Sequence, residues 1–211
     1  EIYTLSLHDA LPILHFTAMR IAVFASGSGS NFQAIVESFQ KQDIPGELAC
    51  LFCDQPNAYV IERAKKENIP YFVLAKQPTQ TKSDYELQLI HLLRTEQIDL
   101  VVLAGYMKIL GPDFLAAYPN RVLNLHPSLL PKFPGKQGIK DAYDSLETET
   151  GITIHLVDSG VDTGPIIFQK KLKRVKGESL EELEQRIHEL EHRYYPKVIG
   201  EFIREIVVND K

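Results

Sequence analysis

Cysteine is scarce in this 211-residue chain, where Cys50 and Cys53 are the only two. That scarcity excludes a disulfide framework and suits a reducing compartment. The Cys-Leu-Phe-Cys spacing has the form of a redox pair or half a zinc site, but no second Cys/His pair stands at zinc-site spacing. Both thiols lie in the apolar run Leu48-Ala49-Cys50-Leu51-Phe52-Cys53, which reads as a buried strand. They are therefore expected to be inert core thiols. Long apolar runs are also missing: no stretch reaches the ~20 residues that a membrane span requires. Nor is basic charge in excess. The 23 Lys and Arg are outnumbered by 28 Asp and Glu, a formal net charge of −5. Such a balance gives no general attraction to nucleic-acid backbones.

What remains is an ordinary globular composition, 44% hydrophobic and 24% charged. The length supports one sizeable core, so a single domain is expected. Residues 1–18 lack the basic n-region and small-residue cleavage site of a leader. They read as a non-native or poorly ordered extension, with Met19 the natural start and 19–211 the domain.

From Arg20 onward, short apolar runs alternate with helical segments. Strands are expected at Ile21–Ala25, Leu48–Cys53, Tyr71–Leu74, Ile98–Ala104 and Arg121–Leu125. Helices are expected at about Asn31–Gln40, Ala58–Glu67 and Ser83–Glu96. Ser83-Asp84-Tyr85-Glu86 and Ser179-Leu180-Glu181-Glu182 both read as capping boxes. The second opens a long amphipathic helix toward Tyr195, which Pro196 is expected to kink or restart. Lys136 to Glu147 reads as a loop entering a short helix, and Ile152–Val157 with Ile166–Lys173 as a late strand pair. This rhythm predicts an α/β fold: an open, mostly parallel twisted sheet with helices on both faces. Antiparallel late strands and a long C-terminal helix complete it.

Three segments carry candidate chemistry. Ser26-Gly27-Ser28-Gly29-Ser30-Asn31 is a Gly-rich strand-to-helix turn, where backbone N–H groups and a helix N-terminus favour an anion. It lacks the third glycine of a dinucleotide fingerprint, and only Asp54 marks the end of the second strand, so NAD is poorly supported. In Asn124-Leu125-His126, strand alternation puts Asn124 and His126 on one side and Leu125 on the other. A carboxamide donor beside an imidazole is what a tetrahedral oxyanion needs. In Val157-Asp158-Ser159-Gly160-Val161-Asp162-Thr163-Gly164-Pro165, either Asp158 or Asp162 is placed to face His126, or both merely form turns.

Four motifs occur in order: Gly27-Ser28-Gly29-Ser30-Asn31, Leu103-Ala104-Gly105-Tyr106-Met107-Lys108-Ile109-Leu110, Asn124-Leu125-His126-Pro127-Ser128-Leu129-Leu130-Pro131 and Asp162-Thr163-Gly164-Pro165. Together, from about Met19 to the C-terminus, they resemble the phosphoribosylglycinamide formyltransferases of purine synthesis. The resemblance implies a cytoplasmic enzyme that moves the formyl group of 10-formyltetrahydrofolate to the amine of glycinamide ribonucleotide. It implies no metal, no covalent enzyme intermediate, no nucleic-acid or membrane partner, and a monomer or homodimer. Gly29, Ser30 and Asn31 would hold the ribonucleotide phosphate, and Glu191 the ribose-glycinamide portion. Met107, Lys108, Ile109 and Leu110 would line the folate pocket. Asn124 and His126 would be the catalytic pair, with Asp162 the carboxylate that raises the histidine's pKa.

Several positions depart from the family's pattern. Lys108 stands where bacterial members usually carry Arg, and Lys82, a candidate folate contact, where Arg is frequent. His188 replaces a Gln that contacts substrate in some members. Lys136-Gln137-Gly138-Ile139-Lys140 replaces a His-rich segment. Methionyl-tRNA formyltransferase shares the Asn, His and Asp arrangement only over a catalytic half, and the acidic charge here argues against a tRNA partner. Formyltetrahydrofolate deformylase carries an extra N-terminal domain. A non-catalytic folate- or nucleotide-binding protein using the same cleft is the alternative of a different class.

Overall fold

Every residue of Ile21–Ala25 is buried, and successive residues point into opposite cores, which is the signature of a strand covered on both faces. Ile21, Val23 and Ala25 enter one cluster, while Ala22 and Phe24 enter the other. This computed structural model describes residues 18–209, so the expected extension at 1–18 lies outside the described residues except for Ala18. The strands are β1 (Arg20–Ala25), β2 (Glu47–Cys53), β3 (Tyr71–Val73), β4 (Leu100–Leu103), β5 (Val122–His126), β6 (Glu149–Leu156) and β7 (Ile166–Lys173). The helices are α1 (Ser30–Gln40), α2 (Val60–Lys66), α3 (Lys82–Thr95), α4 (Pro112–Ala117), α5 (Gly138–Asp144) and α6 (Leu180–Asn209).

The sheet order is β3-β2-β1-β4-β5-β6-β7. The first five strands pair in parallel, and β6 and β7 pair antiparallel. Helices α1, α2 and α6 cover one face through Phe32, Ile35, Val60, Ile61, Val198 and Ile203. Helices α3 and α4 cover the other through Tyr85, Leu89, Leu93 and Phe114. The expected doubly covered sheet is thus what the chain forms. Cys50 and Cys53 point into opposite cores, both fully buried, and burial pushes the Cys50 thiol up to about 12. Among the described residues, no helix is long and apolar enough to cross a membrane.

Three local expectations change. Helix α3 starts two positions earlier than its Ser-x-x-Glu pattern predicts. Thr81 is the N-cap, accepting from the Asp84 N–H at 3.0 Å, while Ser83 bonds Asp113 at 3.0 Å. Glu86 does not reach back, because its buried carboxylate accepts the Gly111 N–H at 2.6 Å. Strand β6 starts at Glu149 rather than Ile152: Gly151 lets the β7 backbone approach so closely that a Cβ there would lie 2.0 Å from the Lys170 carbonyl oxygen. Helix α6 does not restart at Pro196 but continues through it. The Ser179 box forms as expected, with Ser179 N–H on Glu182 at 2.7 Å and Glu182 N–H on Ser179 at 3.1 Å.

Candidate active site

Strands β1 and β4 are neighbours, yet the chain leaves β1 for α1 on one face and β4 for α4 on the other. The connections diverge there and open a crevice beyond the strands' carboxyl ends, where open α/β sheets bind ligands. Here the crevice is a cleft of about 370 Å³. Asn31, Met107–Leu110, Asn124, His126, Asp162 and Glu191 all line it.

The end of β5 supplies the centre. Asn124 and His126 share the cleft side, as the period of two requires; Leu125 packs against the α6 side of the core and also borders the cleft. His126 is 4% exposed. Its Nε2 lies 2.7 Å from the Phe133 carbonyl oxygen and its Nδ1 3.4 Å from Asp162 Oδ2. Both ring nitrogens therefore face acceptors, an arrangement that a doubly protonated ring satisfies.

The loop between β6 and β7 separates the two candidate aspartates. Asp158 turns back on its own loop, accepting from the Gly160 N–H at 3.0 Å and the Thr163 hydroxyl at 2.7 Å. Asp162 faces the histidines, held by the Gly135 N–H at 2.8 Å and by a left-handed backbone, φ 54°. Burial alone pushes its carboxyl up. Hydrogen bonding to the His155 ring and the Gly135 N–H, with the two neighbouring histidines, brings it below its ordinary value.

On the opposite wall, α1 opens with no side-chain cap behind Gly29, whose φ of 74° is left-handed. A Cβ at Gly29 would approach Val60 Cγ2 to 2.4 Å. Asn31 donates to the buried Glu191 carboxylate at 3.1 Å, while its own Oδ1 is buried without a hydrogen-bond partner. An orphaned acceptor beside a cleft invites a donor from a ligand. His188 Nδ1 lies 2.8 Å from the same Glu191 oxygen. That hydrogen bond raises the His188 pKa against the opposing effect of burial.

Not every sequence candidate reaches this cleft. Ser30 lines a separate groove of about 730 Å³ between α1 and α6. Lys82 lines a neighbouring pocket of about 370 Å³, which shares the Tyr106–Leu110 segment and Lys136 with the main cleft. The Lys108 ammonium turns inward, 3.4 Å from Asp54 and 4.5 Å from the Tyr85 ring centroid.

A profile described as Formyl transferase matches residues 19–199. The phosphoribosylglycinamide formyltransferase of Bacillus subtilis (strain 168) is 45% identical over 184 residues, 87% of this chain and 94% of the relative. The chain belongs to the phosphoribosylglycinamide formyltransferase family. Its counterpart in Escherichia coli (strain K12) is 38% identical, over 87% of each chain. The crystal structure of glycinamide ribonucleotide transformylase 1 from Geobacillus kaustophilus matches with a TM-score of 0.86 and 49% identity, covering 88% of this chain and 99% of that one.

This formyltransferase also contains a cleft residue that sequence reading misses. His155 is 2% exposed. Its Nε2 lies 3.1 Å from Asn124 Nδ2 and 3.6 Å from Asp162 Oδ1, and its Nδ1 2.9 Å from the Leu156 carbonyl oxygen. The β5–β6 register sets it directly opposite Asn124. An isolated buried His in an apolar strand carries no signal of its own; only knowledge of that register would have found it.

Proposed function

We propose that this chain transfers the formyl group of 10-formyltetrahydrofolate to the amine of glycinamide ribonucleotide. The observation that carries the reading is convergence. Asn124, His126 and Asp162 meet at the floor of one cleft, with Met107–Leu110 on its rim and Asn31 and Glu191 on the other wall. Met107 and Ile109 are exposed apolar side chains there, suited to a flat heteroaromatic ligand. The buried Glu191 carboxylate and the orphaned Asn31 oxygen suit the amine- and hydroxyl-bearing partner. Gly29, Ser30 and the uncapped first turn of α1 suit its phosphate. Lys82 and Lys108 line the neighbouring pocket on the folate side, paired with Glu86 and Asp54 respectively.

In this reading the substrate amine attacks the formyl carbon, and the carbonyl electrons move to oxygen. The Asn124 carboxamide donates to that oxyanion, and the protonated His126 ring, its N–H groups turned to Asp162 and the Phe133 carbonyl oxygen, stabilises it by its charge. Asp162 stabilises the charge on His126. The amine then loses its proton to Asp162 or an ordered water, or to His126 once that ring has given up one of its own. The carbonyl re-forms as the bond from carbon to the folate nitrogen breaks, and that nitrogen takes up the proton released by the amine. No group of the enzyme is acylated. Residues 19–211 act as one domain on small-molecule substrates, and the setting is cytoplasmic.

The test is to incubate the purified chain with 10-formyltetrahydrofolate and follow deformylation optically, with and without glycinamide ribonucleotide. Turnover that requires the ribonucleotide and yields its formylated product supports the reading. Turnover without an acceptor makes the chain a hydrolase. No turnover in either case moves the assignment to another acceptor or to a binding protein.

A further inference from the structure

Asp54 follows β2 as a buried carboxylate, its side chain only 1% exposed, and it does not line the cleft. A buried charge requires partners, and the identity of these partners shows what it holds in place. Ser26 donates its hydroxyl proton to Asp54 Oδ1 at 2.5 Å. Gln55 Nε2 donates to Oδ2 at 3.0 Å, and Lys108 Nζ lies 3.4 Å from the same oxygen.

A serine hydroxyl has one proton, so directing it at Asp54 turns the oxygen lone pairs elsewhere. Here one accepts the Met107 N–H at 3.0 Å. The Ser26 N–H in turn donates to the Gly105 carbonyl oxygen at 3.0 Å. Ser26 is the last residue before the glycine-rich turn that opens α1, and Met107 and Lys108 belong to the segment after β4. The two connections that form opposite walls of the cleft are thus tied together at Ser26. Asp54 orients that tie from behind and anchors the Lys108 ammonium against the Tyr85 ring.

We propose that Asp54 is a positioning residue for folate binding: through Ser26 Oγ and Lys108 Nζ it sets the Gly105–Leu110 segment. The proposal rests on the reading of Met107–Leu110 as the folate side of the cleft. Without the carboxylate, the Ser26 hydroxyl is free to rotate, the Met107 N–H loses its oriented acceptor, and Lys108 swings to solvent. Ground-state affinity for the folate then falls, while Asn124, His126 and Asp162 keep their geometry.

The test compares Asp54→Ala, Asp54→Asn and Ser26→Ala with the wild type in three measurements: steady-state kinetics varying each substrate, calorimetric binding of folic acid alone, and thermal unfolding. Asp54→Ala and Ser26→Ala are expected to raise the folate KM, and the Kd for folic acid, about 10-fold or more, the scale of one hydrogen bond to a charged group. The ribonucleotide KM should stay within about 2-fold and kcat within about 3-fold. Asp54→Asn still accepts from Ser26 but no longer pairs with Lys108, so it should fall between wild type and Ala. That isosteric variant decides the matter if Asp54→Ala does not fold. Unchanged folate affinity in a folded variant overturns the proposal, as does an equal loss for both substrates. If the wild type itself fails to bind folic acid, the folate-side reading falls and this proposal with it. Turnover without the KM split sinks this proposal alone.

Discussion

Nδ1 of His126 lies 3.4 Å from Oδ2 of Asp162, brought there by the β6–β7 loop reaching back over the end of β5. The Phe133 carbonyl oxygen, 2.7 Å from Nε2, holds the ring from its other side. A charged ring beside a developing oxyanion lowers the barrier only if its counter-charge stays in place. His126→Ala and Asp162→Asn are therefore each expected to lose at least ~100-fold in kcat, the scale for acid–base and oxyanion groups. Steady-state assays on variants with unchanged circular dichroism check this. Near-wild-type kcat in either would remove that residue from the mechanism.

His155 acts one step back. Its Nε2 meets the Asn124 carboxamide at 3.1 Å, and the ring is itself tied to the Leu156 carbonyl oxygen at 2.9 Å. Removing the ring leaves the carboxamide free to rotate out of line with the reacting carbon. His155→Ala should lower kcat about 10-fold with a smaller change in either KM, as expected for a donor that works mainly in the transition state. Restoration of most of that loss by Gln, which retains an acceptor, would distinguish positioning from general loss of packing. A rise in KM alone would contradict it.

The physical reason some of this was legible in sequence lies in which signals are local. The apolar runs of β1, β2 and β4 announce themselves because they are buried on both faces. Asn124 and His126 could be paired from the period of two alone. The start of β6 was hidden because Thr150 and Gly151 carry no apolar signal, although Thr150 is 2% exposed. Ser83-x-x-Glu86 satisfies the capping pattern, yet Glu86 is claimed by the Gly111 N–H, a partner distant in sequence. The choice between Asp158 and Asp162 needed the loop's path, and His155 needed the β5–β6 register. Chemistry resting on chain-distant partners is what the sequence alone leaves open.

Gly29 gives a stability prediction independent of catalysis. Its φ of 74° is costly for any residue with a Cβ, and that Cβ would stand 2.4 Å from Val60 Cγ2. Gly29→Ala is expected to destabilise the fold by about 1–3 kcal/mol, combining backbone strain with a forced shift of α2. Urea unfolding measures it. Because α1 would enter the sheet at a changed angle, the ribonucleotide KM should rise in the same variant. A stability change below about 0.5 kcal/mol, the range of a neutral surface substitution, would contradict this account of the turn.

The His188–Glu191 pair makes part of the protein's stability depend on pH, and the sign can be worked out. The hydrogen bond to Glu191, 2.8 Å away, raises the His188 pKa above its ordinary 6.5, against the opposing effect of burial and with help from the charges of Glu191 and Glu184. The neighbouring His192 ring, 6.5 Å away, is shifted the other way, chiefly by burial, so it does not supply the effect. A folded-state pKa above the unfolded one means protons favour the native state. The stabilisation is fully present below about pH 6.5 and is lost as pH rises through the higher folded value. Half of the His188 side chain is exposed, so solvent screens the pair and the gain is about 1 kcal/mol or less. The Tm difference between wild type and His188→Gln should therefore be largest near pH 6 and shrink toward pH 9. Because the same Glu191 oxygen also accepts from Asn31, the carboxylate keeps that partner when His188 loses its proton. A difference that stayed flat across that range would mean that His188 holds Glu191 by packing and not by charge.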